Sequence, residues 1–494
     1  MRQRNPNDAM GLFGILLGLA LLVWLAYRGW SILLLAPAAA LIAAAFAGGP
    51  LLAYWTQTFM DSASRFVAQF FPLFLLGAIF GKLMEDSGSV AAIAEFMTKR
   101  LGPRRAVLTV VLAGAIVTYG GVSLFVAFFV LVPMAQALFR NAGIPNRLIP
   151  AAIALGTSTF TMSALPGTPA IQNAIPMPFF GTTPLAAPGL GIIASVIMLA
   201  FGLWWLGRAE NAARRNGEGF GLPTALPADE AAEDETLRQR ATTAREFDPR
   251  EVHRGQRSQE RPRIVLAALP LLVVVSVNVL MSLVILRRLD VSFLAEERFG
   301  ATSLSAVGGV WAVVTALAAA ILTVVAVNLR RLPGVRETMD SGANASVLPV
   351  LSVASLVGFG AVVAAVPAFE IVRGWVLSIE GGPLVSLAFA TNLLAAITGS
   401  ASGGLTIALD ALGGTYMRLA AEHGIDPALL HRIAVMMSAG TLDSLPQNGA
   451  VVTLLAVCGS THRESYLDIL MAAITGPIIA LGAVIALGSA FGSF

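Results

Sequence analysis

Twelve stretches of this chain stay apolar for about the ~20 residues a helix needs to cross a bilayer, and nothing else in the sequence limits the fold so strongly. Backbone inside hydrocarbon must pair its own polar groups, which a helix does within a single segment. The runs fall near 10–27, 31–55, 63–84, 106–139, 147–180 and 187–206. They resume near 264–286, 302–328, 345–366, 383–420, 428–457 and 466–490. Charged residues make up only 12% of the chain, about half the share in soluble domains. The expectation is an all-α polytopic membrane protein. The first run has no small-residue cleavage pattern behind it and is read as a retained helix. The one cysteine, Cys458, can form no internal disulfide and falls in an apolar run, where inert packing is its expected role.

The region 207–263 divides two transmembrane halves, 1–206 and 264–494. It holds 11 Arg and 11 Asp plus Glu, and is read as a charged, solvated linker. Basic residues set the orientation. Placing 98-TKRLGPRR-105, Arg140, Arg147, the linker and 330-RRLPGVR-336 on one side gathers most of the 32 Lys and Arg there, so that side is cytoplasmic. Both termini then lie outside. The arginines are scattered among apolar spans, so nucleic-acid binding is not expected.

Two runs, 106–139 and 383–420, are too long for one span and too short for two. Each has a glycine-rich centre, 118-TYGGVS-123 and 398-TGSASGG-404, which fits a re-entrant hairpin whose tip lies at membrane depth. The runs 147–180 and 428–457 are interrupted by 157-TSTFTMSALPGTPAIQN-173 and 440-GTLDSLPQNG-449, where Pro and Gly prevent a continuous helix. These landmarks recur in order. Gly120-Gly121 matches Gly403-Gly404 at an offset of 283, 142-AGIP-145 matches 423-HGIDP-427 at 281, and 163-SALP-166 matches 443-DSLP-446 at 280. The threading puts the feet of the two hairpins on opposite sides, so the repeats are inverted, an arrangement typical of secondary transporters.

The tips and breaks carry no Lys or Arg. The first half offers Gly120, Gly121, Ser123, Thr157, Ser158, Thr159, Ser163, Gly167, Thr168 and Asn173. The second offers Ser400, Ser402, Gly403, Gly404, Thr441, Ser444, Gln447 and Asn448. Hydroxyls, amides and backbone N–H groups at half-helix N-termini suit a small anion bearing hydroxyls, and would equally hold a neutral polyol. Asp443 and Asp410 are the intramembrane acids, and hence the candidates for the coupling ion, whether H+ or Na+. His431 and Arg432 are expected as interfacial anchors, Glu370 and Arg373 as a solvated pair in an outer loop, His253 in the linker and His462 in a cytoplasmic turn. With no HExxH, Walker motif, CxxC or metal-ligand cluster, neither catalysis nor a cofactor or metal is expected.

The segments 77-GAIFGKLMEDSGSVAAIAEFMTKRLGPRR-105, 114-GAIVTYGGVSLFVAFFVLVPMAQAL-138 and 151-AAIALGTSTFTMSALPGTPAI-171, with 440-GTLDSLPQNG-449, resemble the gluconate permease (GntP) family of the ion transporter superfamily. The resemblance implies a proton-driven symporter of gluconate or related hydroxy-carboxylates in the bacterial inner membrane. It further implies a homodimer whose hairpins and broken helices form an elevator-type moving domain. Gluconate permeases tend to have an acidic residue at the first tip, where this chain reads 119-YGGVS-123. A shorter hydroxy-monocarboxylate is therefore as fitting a substrate, and Asp443 becomes the main coupling candidate.

Overall fold

A computed structural model of the protein describes residues 6–27, 30–102, 105–221, 258, 260–398, 401–439, 444–446 and 448–494. Among these every regular element is a helix. Six helices are long and apolar enough to cross a membrane, and shorter ones fill the space between them.

The chain begins with α1 (Pro6–Tyr27) and α2 (Ile32–Phe46), packed together. Ser31 starts α2 by accepting the Leu33 N–H at 3.3 Å. The next span does not begin near residue 63. The sequence 47-AGGP-50 turns the chain, with Gly48 at φ +70°, and α3 runs from Leu51 to Asp86. At 1.5 Å per residue α3 is about 54 Å long, well beyond the ~30 Å hydrocarbon core. After Gly88 the short helix α4 (Ser89–Leu101) leads to α5 (Ala106–Tyr119), α6 (Leu124–Ala142) and α7 (Ile149–Thr157). The chain then breaks into turns at Phe160–Ser163, Ile171–Ala174 and Pro176–Phe180. α8 (Pro188–Arg215) is helical through residues 207–215, which composition alone assigns to the linker.

After the charged region come α9 (Ile264–Arg288) and α10 (Leu304–Asn328), a closely packed pair. α11 (Val335–Ala365) begins ten residues earlier than its apolar run, because 335-VRETMDSGANA-345 is helical despite its charges. α12 (Phe369–Leu377), α13 (Gly382–Thr398), α14 (Ala401–His423), α15 (Pro427–Ala439) and α16 (Gly449–Cys458) follow. α17 (His462–Phe491) starts at a capping box formed by Thr461 and Glu464, and packs along α8. Glu370 and Arg373 pair at 2.5 Å with exposed side chains, but on the helix α12 and not in the loop expected of them.

The interior joins the two ends of the chain. α3 lies against α10 and both parts of α11. The segment Pro176–Phe180 packs on α14 and α15, while α16 packs on α6 and α7. α6 is thereby packed against a segment from late in the chain, and α14 against a segment of the first break. Beyond the charged region, the described residues near 260 return to the α3–α4 corner. The Ser258 N–H donates to the Asp86 carbonyl at 2.8 Å, and Arg261 pairs with Glu95 at 2.5 Å.

Candidate functional site

A cavity of about 200 Å³ opens where α3, the α5–α6 turn, the first break and α11 converge. Its wall includes Lys82 and Glu85 from α3, Gly121 and Ser123 from the turn, Pro169 and Gln172 from the break, and Ser341 from α11. The turn is tight because Gly121 sits at φ +97°, where a side chain would be strained; an added Cβ would also lie 3.0 Å from the Pro169 ring. The Tyr119 hydroxyl ties the two motifs together by donating to the Pro166 carbonyl at 2.8 Å, and Asn278 from α9 donates to Gly167 O at 2.8 Å.

Most hydroxyls of the first break are turned onto backbone instead. Thr157 donates to Ile153 O (2.8 Å), Thr159 to Leu155 O (2.6 Å) and Ser163 to Thr159 O (2.9 Å). Each of these bonds runs four residues back along the chain, so the hydroxyls are engaged by their own local backbone. Ser158 meets Thr157 at 3.1 Å, Thr168 accepts the Ala170 N–H at 3.4 Å, and Asn173 donates to the carbonyls of Thr168 and Pro184. Of the residues singled out in the first half, Gly121 and Ser123 reach the cavity wall. Gly120 instead presses against Leu271, with no room for a Cβ.

In the second half, Ser402, Gly403 and Gly404 are buried in the first turn of α14. Ser444 is buried and its carbonyl accepts the Tyr466 hydroxyl at 3.2 Å; the Asn448 side chain accepts the Ala450 N–H at 2.7 Å, as a helix cap does. His462 closes the same corner by meeting Pro446 O at 2.6 Å. Asp410 is exposed on α14 and does not line the cavity. Ser400, Thr441, Asp443 and Gln447 lie outside the described residues.

Three charged side chains that sequence reasoning passed over sit at the C-terminal end of α3. Lys82, Glu85 and Asp86 are 6%, 5% and 0% exposed. Their i, i+3 and i+4 spacing puts them on one face. Lys82 Nζ is 3.4 Å from Glu85 Oε2 and 3.1 Å from Asp86 Oδ1, and the Thr338 hydroxyl donates to Asp86 Oδ2 at 2.8 Å. Charges beside a basic loop read as an ordinary solvated helix end. What buries them is the polar first part of α11, which hydropathy does not mark as a packing helix.

His431 and Arg432 are also fully buried, which corrects the expectation of interfacial anchors. α15 points them at the first break rather than at the membrane surface. Arg432 donates to Ala186 O (2.6 and 3.2 Å), Ala164 O (3.0 Å) and Ser163 O (3.3 Å). His431 Nε2 meets Asn173 Oδ1 at 3.1 Å, an atom that can only accept, so Nε2 carries the proton. Nδ1 then accepts from Thr182, 2.5 Å away. The cation missing from the breaks is supplied from a helix nearly 270 residues away.

A family profile described as citrate transporter (CitMHS) matches residues 15–308 of the chain. The "Uncharacterized transporter YxjC" of Bacillus subtilis is 40% identical over 466 residues, covering 93% of this chain and 95% of that protein. The chain belongs to the CitMHS citrate transporter family. It is a polytopic membrane protein and a secondary transporter. The likeness to gluconate permeases is narrower: the "High-affinity gluconate transporter" of Escherichia coli is 38% identical over 104 residues, 20% of this chain and 23% of that one. The structure of Neisseria gonorrhoeae MtrF, described as illuminating a class of antimetabolite efflux pumps, superposes with a TM-score of 0.54 at 14% identity. It covers 88% of this chain and 84% of that one, and at this identity shows a shared fold alone.

Proposed function

We propose that this CitMHS-family protein carries a small hydroxylated carboxylate, of the gluconate or citrate kind, across the bacterial cytoplasmic membrane together with a cation, H+ in preference to Na+. The observation that carries the reading is the cavity itself. It places a buried ammonium, Lys82, beside the Ser123 hydroxyl, the Gln172 amide and the Gly121 tip. A carboxylate is drawn to the ammonium, and hydroxyls to the amide and serine. The substrates printed for the family and for the gluconate transporter belong to that chemical class.

The halves 1–206 and 264–494 are read as inverted repeats that move past a dimerising scaffold. Two observations support this. A pair of helical arms and an interrupted helix occur in the same order in each half. The packing is reciprocal too, with Pro176–Phe180 on α14 and α15 and α16 on α6 and α7. In this reading Ser402, Gly403, Gly404, Ser444 and Asn448 of the second half belong to the opposite wall of the site.

Counterflow tests the carrier reading. The full chain in liposomes preloaded with unlabelled gluconate or citrate is expected to take up the labelled acid roughly tenfold faster than empty liposomes. Uptake indifferent to internal substrate would mean a passive channel. Repeating the assay with and without sodium separates the coupling ions.

A further inference from the structure

We propose that the cavity recognises an α-hydroxy carboxylate unit, the group that gluconate and citrate share, and that Gln172 reads its hydroxyl while His431, acting through Asn173, holds Gln172 in place. This rests on the reading of the cavity as the anion site.

The wall itself shows which groups are left to face a ligand. Thr118 donates to Gly114 O at 2.9 Å and Ser346 to Ala343 O at 2.7 Å, so both hydroxyls are engaged by their own helices. Gln172 and Ser123 make no side-chain hydrogen bond among the described residues. Gln172 is nevertheless only 6% exposed, and it lines the cavity. An amide buried without a protein partner is costly unless the occupant of the cavity pairs with it. The two groups belong to one wall. An added Cβ on Gly81 of α3 would lie 3.7 Å from Ser123 N, and one on Gly121 would lie 3.0 Å from the Pro169 ring. The α5–α6 turn is thus wedged between α3 and the break, and Gln172 follows shortly after Pro169.

An amide offers an acceptor, Oε1, beside a donor, Nε2–H. An α-hydroxy carboxylate offers the reverse, a hydroxyl proton beside a carboxylate oxygen. The hydroxyl donates to Oε1 while Nε2–H donates to the carboxylate, and the Ser123 hydroxyl donates to the same anion. An acid without the hydroxyl leaves Oε1 buried and unpaired. A site built to pair a hydroxyl rejects the deoxy analogue for that reason.

Gln172 sits in Ile171–Ala174, a single helical turn too short to hold itself. Its fully buried neighbour Asn173 fixes that turn. Asn173 Nδ2 donates to Thr168 O at 2.9 Å and Pro184 O at 3.1 Å, and Oδ1 accepts from His431 Nε2 at 3.1 Å. His431 does not line the cavity, so it is a positioning residue.

The test is titration calorimetry on the full-length protein in detergent, with two pairs of acids that differ by one hydroxyl: citrate against tricarballylate, and gluconate against 2-deoxygluconate. The native protein is expected to prefer the hydroxy acid of each pair roughly tenfold or more. Gln172→Met, close in length but without the amide, should bring both ratios near one. Gln172→Asn, which withdraws the amide by one carbon, should lose most of the preference and serves where the Met variant fails to fold. His431→Leu should lower the ratios as well, and His431→Gln, which keeps an N–H for Asn173, should restore them. A general loss of stability would instead weaken both members of a pair alike. Native preference in a folded Gln172→Met protein would overturn the hydroxyl reading, and native preference in His431→Leu would overturn the positioning role. Equal native affinity within both pairs would sink this inference and leave the anion site standing. Binding of none of the four acids would remove the anion site and this inference with it.

Discussion

Replacing Arg432 by Met is expected to lower the stability of the folded protein by about 3 kcal/mol and to abolish transport. Three carbonyls, those of Ser163, Ala164 and Ala186, lose a buried donor. Each orphaned carbonyl costs about 1–3 kcal/mol. Part of this is offset, because the variant no longer buries a guanidinium that, among the described residues, no carboxylate reaches. The loss falls where the first break must be held in a non-helical path, so function suffers with stability. Arg432→Lys should recover only part, since one ammonium cannot span two sets of carbonyls that a planar guanidinium reaches together. Thermal unfolding of purified protein in detergent, read beside counterflow, checks both effects. A Met variant with native stability and native exchange would show that the break holds its shape without the arginine.

Gly156→Val should be nearly as damaging for a different reason. Gly156 lies where α7 crosses α5, and a Cβ there would sit 2.4 Å from the Val111 carbonyl oxygen. That atom is backbone within a helix and cannot move aside alone. The Gly156 carbonyl itself accepts the Thr161 hydroxyl at 3.1 Å and the Thr118 hydroxyl at 3.4 Å. Overpacking of this kind costs about 1–3 kcal/mol and occasionally more, and here it separates the arm carrying Gly121 from the break that faces it. Gly414→Ala on α14 is the control. Nothing lies within 4 Å of its added Cβ, so the helix gains up to ~1 kcal/mol of propensity without a clash. Equal behaviour of the two variants in unfolding assays would refute the close-packing argument.

The sequence exposed some of this site and hid the rest. The α5–α6 turn was legible from 118-TYGGVS-123, because glycines amid an apolar run leave few alternatives to a tight turn. The first break was legible from Pro166, Gly167 and Pro169. The use of its hydroxyls was not: Thr157, Thr159 and Ser163 look like ligands in a list of polar residues, and each instead donates to the carbonyl four residues back. Lys82, Glu85 and Asp86 were visible as letters but not as a buried group. Their burial depends on 335-VRETMDSGANA-345, a segment whose charges disguise it as a loop.

The sequence by itself determined the helical class, the membrane, the α5–α6 turn and the first break. These follow from local rules: apolar length, and the backbone limits of glycine and proline. Only the tertiary structure decided which charges are inside. Burial of Arg432 requires α15 to meet the first break, and burial of Lys82 requires α11 to cover the end of α3. Both contacts join residues some 250 positions apart or more, and the periodicity of a single segment cannot specify its distant partner.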